Sequence, residues 1–312
     1  VSSSHRSKTI SGVLVVDKPK GLSSYEVLRQ VGRASGIKKI GHTGTLDPLA
    51  TGVLILCLNR ATKLVRFLQA GEKEYLGRMI LGLATDTGDV TGRVIGKNTA
   101  LDLSPHEIIN AASEFVGLIE QVPPDYSAIK INGRPAYRLA RSGEKVPPRS
   151  RMVEVHELTL TGIDLPQISF HVRAAKGTYI RSLAVDLGRR LRTGACLGSL
   201  RRLSARPFNI NQAVSLEEAL ALARSGRLEE LLIPLDQVLA FLPKVYVSEG
   251  LIPLVEHGRP LPLSRMDEYS LQPGPVQVLD HHSGLLAVYE YNSPTGDPQD
   301  GCLVPIRVLG RR

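Results

Sequence analysis

The sequence predicts an α+β protein: a mixed, largely antiparallel sheet flanked by helices, followed by a small β-rich domain. Three observations carry this reading. The chain has 312 residues, 42% of them hydrophobic, which is long for one domain and enough for a sizeable core. Strand-like runs and helix-capping signals mix irregularly, without the βαβ alternation of a doubly wound sheet. After about residue 240 the helix signals vanish, and short apolar runs alternate with Gly, Pro and Asp turns. The expected division is a disordered tail over 1–10, a main domain over 11–240 and a β-rich domain over 241–312.

Taken in order, Gly12–Asp17 reads as a β-branched strand that ends at Lys18-Pro19-Lys20-Gly21. Ser23 with Glu26 forms a capping box for a helix to about Ala34, with Gly36 past its end. Val53–Leu58 is apolar throughout and has the length of a buried strand. Ala61–Leu68 reads as a short helix closed by Gly71, and Glu74–Leu83 as a strand running into the turn Thr85-Asp86-Thr87-Gly88-Asp89. Ser104, Pro105 and Glu107 supply the N-cap, N1 proline and capping box of a helix ending near Gly117. Pro123–Pro124 breaks the next strand, and Pro135–Arg141 reads as a short helix. Strands follow at about Met152–Thr161 and Ile168–Ala174. A helix from about Tyr179 to Arg192 gathers Arg189, Arg190 and Arg192 at its negative end. Ser215 and Glu218 open a helix over Leu216–Arg224, closed by Gly226. In the tail, Lys244–Val247, Val276–Leu279, Leu285–Tyr289 and Cys302–Val308 read as strands.

Composition excludes several classes. Three cysteines, far apart and without CxxC, make neither a disulfide framework nor a thiolate zinc site. Apolar runs are far too short to cross a bilayer, and Val1–Ser11 lacks the apolar stretch of a secretory signal. A soluble cytoplasmic protein without a membrane partner is expected. The net charge is +9, and its placement says more than its size. Residues 130–206 hold sixteen Lys or Arg against five Asp or Glu, whereas residues 241–312 hold six against eight. A concentrated basic stretch fits a polyanion partner, most simply nucleic acid, and fits a solvated basic surface as well. Aromatics at 4% argue against a repeated stacking platform for single strands, but selected tyrosines could serve one base.

The sharpest local feature is Gly41-His42-Thr43-Gly44-Thr45-Leu46-Asp47-Pro48-Leu49-Ala50-Thr51-Gly52, a Gly-rich loop with one acid that leads into the strand Val53–Leu58. It has neither GxxxxGK[ST] nor GxGxxG spacing, so it is no phosphate loop of those kinds. Pro48 restricts Asp47 to an extended or turn conformation. A carboxylate fixed in this way suits a nucleophile or general base, although an Asp in such a turn is more commonly an Asx-turn cap. The residue types alone leave both readings open.

The string resembles the catalytic motif of the TruB family, the bacterial tRNA pseudouridine-55 synthases. Six further segments fall in that family's order: Asp17–Ser24, Lys73–Tyr75, Thr85–Thr87, Tyr126–Lys130, Lys176–Arg181 and Leu200–Leu203. The resemblance runs from about residue 10 to 240, and the β-rich tail resembles the family's PUA-like RNA-binding domain. It implies a pseudouridine synthase-like catalytic domain that breaks the N1–C1′ bond of a flipped T-loop uridine in tRNA, turns the base and rejoins it through C5. Asp47 matches the catalytic aspartate, Arg181 its paired arginine and Tyr179 a pocket tyrosine with a proton-relay or hydrogen-bonding role. Tyr75 matches the tyrosine that stacks on the base, Leu200 an apolar wall and His42 a contact to flipped nucleotides. Lys18, Lys20 and Lys130 are implied as RNA or pocket contacts. Residues 125–151 resemble a basic, mobile insertion that closes on the RNA. No metal or other cofactor is implied, and the eight histidines include no HxxxH pair. The enzyme is expected to act as a monomer, without a guide RNA or a required protein partner, unlike guide-dependent relatives in archaea and eukaryotes.

Overall fold

The computed structural model describes residues 10–127, 130–131, 133–135, 139, 142, 150–262, 271–282, 284–292 and 301–310. The tail over 1–9 and most of the 125–151 insertion lie outside the described residues. So does most of the short helix expected at Pro135–Arg141.

One large sheet organises the N-terminal three quarters. Its strands are β1 (Gly12–Lys18), β2 (Ile40–His42), β3 (Thr51–Leu58), β4 (Lys73–Leu81), β5 (Gly117–Gln121), β6 (Arg151–Asp164), β7 (Gln167–Ala174), β8 (Ala195–Ala205), β9 (Phe208–Asn209) and β10 (Val214–Ser215). The order is β10-β1-β3-β8-β4-β7-β6-β5, with β2 added to β3 and β9 to β8. Only β1–β10 and β3–β8 are parallel, so the sheet is mixed and largely antiparallel.

The longer helices among the described residues are α1 (Ser24–Ser35), α2 (Pro105–Ser113), α3 (Ile180–Arg190) and α4 (Leu216–Arg224). Both expected capping boxes are present: Ser23 with Glu26, and Ser104 with Glu107. All four helices bury their apolar stripes on one sheet face, where Val27, Val31, Ala111, Leu183, Leu187 and Ala219 meet Leu14, Val16, Leu54 and Leu56. Alternation sends Val13, Val15, Val53 and Ile55 to the opposite face. There they pack against Leu279, Leu285, Val288 and Leu309 of the C-terminal region. Both faces of β1 and β3 are therefore dry, which is why these strands read as unbroken apolar runs.

The C-terminal region forms a second sheet from β11 (Lys244–Tyr246), β12 (Leu261–Pro262), β13 (Gly274–Leu279), β14 (Leu285–Asn292) and β15 (Cys302–Val308), in the order β11-β13-β14-β15-β12. Lys63 ties it to the large sheet through the carbonyls of Val308 and Leu309, each at 3.1 Å, and Arg60 through Leu285 and Gly310.

Three expectations need correction. Helix signals do not vanish after residue 240, because Ile252–Glu256 is a short helix with proline in its first turn. The helix expected at Ala61–Leu68 is a 3-10 turn, Asn59–Leu64, continued by one α turn, Val65–Leu68. The strand expected at Glu74–Leu83 stops at Leu81, and Leu83–Thr85 pairs instead with Val94–Lys97.

Candidate active site

Asp47 sits at the crossing of the sheet and the helical layer. Its loop is held from three directions. The Ser24 hydroxyl, at the start of α1, accepts from the Leu46 N–H at 2.8 Å and donates to the Leu46 carbonyl at 3.1 Å. The buried Arg202 guanidinium, on β8, donates to the Val53 carbonyl at 2.6 Å and the Gly44 carbonyl at 3.1 Å. Leu46, Leu49 and Ala50 are buried on either side of the acid. The carboxylate is therefore aimed by its neighbours' packing and by backbone bonds, and its own side chain is left 38% exposed.

Arg181, in the first turn of α3, lies 134 residues away in sequence and meets it. Its side chain is 5% exposed. Nη1 donates to the Thr87 carbonyl at 2.8 Å and Nη2 to the Tyr126 carbonyl at 2.9 Å. Nη2 also reaches Asp47 Oδ1 at 3.3 Å. Nε lies 2.8 Å from Asp47 Oδ2, but its N–H is off the line of that contact and makes no hydrogen bond. Burial pushes the Asp47 pKa up from its ordinary value; Arg181 opposes this, the nearby Asp89 adds to it, and Lys18 opposes it weakly.

Lys18 ends β1 on the same face as Leu14 and Val16. It is fully buried, and Nζ donates to the carbonyls of Pro19 at 2.8 Å and Leu22 at 2.6 Å. Burial lowers its pKa to about 8, with Asp47 pulling the other way. Lys18, expected as an RNA or pocket contact, has no exposed surface, and its charge acts on Asp47. Lys20, two residues on, is exposed.

Tyr75 on β4 and Leu200 on β8 are nearly buried members of the same core face. Tyr75 lies opposite Arg202 in register, and Arg202 opposite Gly52, so three adjacent strands carry these residues and the Asp47 loop together. His42, at the end of β2, is half-buried. Its Nδ1 is buried without a partner among the described residues, and burial together with Arg202 lowers its pKa, which favours the neutral ring. Tyr179 is the N-cap residue of α3, and the Arg151 guanidinium lies over its ring at 5.0 Å. Lys130 lies on the short strand Lys130–Ile131. Among the described residues, no group of His, Cys, Asp or Glu could hold a metal ion.

Comparison with known proteins places this geometry in a family. Residues 32–180 match the TruB family pseudouridylate synthase N-terminal domain, and residues 181–240 the tRNA pseudouridylate synthase B C-terminal domain. The chain belongs to the TruB family of pseudouridylate synthases. It is 42% identical over 286 residues to tRNA pseudouridine synthase B of Syntrophus aciditrophicus, covering 90% of this chain and 91% of that protein. It is 39% identical over 311 residues to the enzyme of that name from Pelotomaculum thermopropionicum, covering 97% and 98%. A solved Cbf5-Nop10-Gar1 complex contains a chain 26% identical with a TM-score of 0.73, covering 96% of this chain and 85% of that one.

Four residues with structural roles here were not singled out as site residues in the sequence. Arg202 stood only as part of a motif; an Arg at mid-strand gives no sign of being buried. Asp89 is buried and accepts from Thr87 Oγ1 at 3.0 Å and the Thr91 N–H at 2.9 Å. Its Thr-Asp-Thr-Gly-Asp turn was the available signal. Ser24 stood inside a quoted motif but carries its effect through Leu46, which no local pattern announces. Gln121 had no signal at all.

Proposed function

We propose that this protein isomerises the T-loop uridine of tRNA, position 55, to pseudouridine, acting as a single chain without a guide RNA. The observation that carries the reading is the Arg181–Asp47 contact: an acid presented from a braced loop beside a buried guanidinium that is itself held by two backbone carbonyls. The near-full-length relatives named tRNA pseudouridine synthase B support the choice of RNA.

A base cannot react inside a stack, so the nucleotide is flipped out at a cost of a few kcal/mol. The Tyr75 ring offers a stacking face that offsets part of this, and Leu200 excludes water. Asp47 attacks as the carboxylate, at C1′ or at C6 of the uracil ring. The N1–C1′ bond breaks, the base turns, and the C5–C1′ bond forms; Asp47 leaves C1′ as C5 displaces it or, on the C6 route, is eliminated from C6 afterwards. The proton on C5 then leaves and N1 gains one, and in this reading the Tyr179 phenol relays it. Arg181 keeps Asp47 ionised against desolvation, which its planar fork does better than an ammonium. The basic stretch of residues 130–206 supplies phosphate contacts, and the C-terminal sheet, read as PUA-like, supplies a second RNA surface.

The test is incubation of the purified protein with unmodified tRNA transcript, followed by chemical mapping of pseudouridine. Modification at position 55 without guide RNA is expected, and Asp47→Asn should abolish it while leaving tRNA binding within a few fold. A protein that binds tRNA but yields no pseudouridine would be a non-catalytic binder. Turnover that needs an added guide RNA would align it with the Cbf5 assemblies instead.

A further inference from the structure

We propose that Gln121 is a positioning residue for this reaction, fixing the backbone of Tyr179 and through it the guanidinium of Arg181 against Asp47. The inference rests on the function proposed above. Gln121 closes β5 and is 1% exposed. Its side-chain Oε1 accepts from the Tyr179 N–H at 2.7 Å, and its Nε2 donates to the Tyr179 carbonyl at 3.1 Å. One amide thus engages both backbone groups of one residue, as a neighbouring strand would.

Tyr179 is where this matters. It caps α3 in an extended conformation and provides no side-chain cap of its own. Its carbonyl also accepts the Leu183 N–H, one of the first bonds of the helix. A grip on Tyr179 therefore sets the start of α3, and Arg181 is only two residues further on. The chain that follows Gln121 repeats the attachment. The Val122 carbonyl accepts from the buried Ser182 hydroxyl at 2.7 Å, and the Tyr126 carbonyl accepts from Arg181 Nη2 at 2.9 Å. Arg151, the cross-strand partner of Gln121, covers the Tyr179 ring and donates to the Gly177 carbonyl. Residues 121–126 are thus a strap along the first turn of α3, anchored by the Gln121 amide. The guanidinium that Asp47 meets is held at its Nη2 by the Tyr126 carbonyl of this strap. A displacement of about 1 Å at a reacting group costs on the order of a hundredfold in rate.

The experiment compares Gln121→Met, which keeps length and loses both hydrogen bonds, with Gln121→Glu, which keeps the acceptor for the Tyr179 N–H. Single-turnover rate on unmodified tRNA, tRNA affinity and the pH–rate profile are read for each. Gln121→Met should lose about 30- to 100-fold in rate with affinity within about threefold. Its acid limb should move to higher pH, because a displaced Arg181 no longer holds Asp47 down. Gln121→Glu should recover part of the loss. A Gln121→Met variant within threefold of wild type in rate would overturn the proposal. So would a loss matched in affinity with an unmoved acid limb, which is what damaged packing alone produces. If the methionine variant does not fold, the glutamate variant decides by the same readings, with an expected loss of about five- to twentyfold. Wild-type turnover is measured first: its absence overturns the proposed function, whereas wild-type turnover with an unaffected variant overturns only the role of Gln121.

Discussion

Gly52, five residues beyond Asp47, gives the most demanding test of how the loop that carries Asp47 is seated. Its φ is +97°, outside the range where side-chain-bearing residues are comfortable. A Cβ there would lie 2.2 Å from the Arg202 carbonyl oxygen and 2.8 Å from the Arg202 nitrogen. Ordinary non-bonded carbon contacts fall at about 3.5–4.0 Å. The obstacle is backbone, which cannot rotate away, so Gly52→Ala must part β3 from β8 by about 1 Å or more. The strained φ costs about 1–3 kcal/mol, and overpacking about 1–3 kcal/mol more. The same separation pulls Val53 from the Arg202 guanidinium and shifts the loop that carries Asp47. We expect a fall of several degrees in unfolding midpoint and a loss of about a hundredfold in single-turnover rate. Thermal unfolding and a rapid-quench assay on unmodified tRNA read the two. An alanine variant within twofold of wild type in rate, and within about 1 °C in midpoint, would refute the claim that this close approach seats the loop.

Other consequences follow from the same geometry. Arg181→Lys keeps the charge but cannot hold the Thr87 and Tyr126 carbonyls and both Asp47 oxygens at once. Losing one or two charge-assisted bonds, about 1.5–3 kcal/mol each, predicts at least a tenfold fall in rate in the same assay. Because burial raises the Asp47 pKa, the rate should climb with pH through a midpoint above the ordinary carboxylate value near 4; a midpoint at or below that value would contradict the burial. Affinity for tRNA should drop by orders of magnitude between about 50 and 200 mM salt if six or more phosphates are contacted, and a filter-binding titration with a flat response would remove the basic stretch from the interface.

The parts legible in the sequence share a physical character: their signal is local. The capping boxes at Ser23 and Ser104 need only residues three apart, and the loop around Asp47 shows itself by glycine, proline and a single acid. Val53–Leu58 was readable because both of its faces are buried, so no polar residue interrupts it. The parts that were missed depend on distant partners. The central strand Ala195–Ala205 contains Gly198, Arg201 and Arg202 and two register shifts, so neither an apolar run nor a clean alternation marks it. Arg202 could be buried there only because carbonyls from residues 44 and 53 meet it. Gln121 at the end of an edge strand reads as a surface residue until Tyr179, 58 residues on, is brought beside it. Lys18 lies between these cases: alternation along β1 puts it on the face of Leu14 and Val16, but not the two carbonyls that take up its ammonium.

The way Arg181 is held bears on how reactive Asp47 can be. A tight, isolated ion pair would satisfy the carboxylate and leave it a poor nucleophile. Here the two shorter bonds of the guanidinium go to backbone carbonyls, while its bond to Asp47 is long and its Nε is misaligned. The arginine is therefore anchored by the fold and supplies field to an acid it does not fully engage. Removing a partner from a buried ion pair ordinarily costs about 3–5 kcal/mol. Asp47→Asn should cost much less, about 1 kcal/mol or below, because Arg181 keeps two acceptors and the asparagine oxygen can replace the third. The sign of the Asp47 shift points the same way. With its folded-state pKa above the unfolded one, the carboxyl favours folding while protonated and loses that advantage as pH rises through the interval between the two values. At neutral pH the ionised acid is thus a burden on stability that the neutral amide lifts. Equilibrium unfolding of Asp47→Asn at neutral pH decides: a loss of about 1 kcal/mol or less, or a gain, fits an arginine held by the backbone, and a loss above about 3 kcal/mol would mean that Asp47 itself holds Arg181 in place.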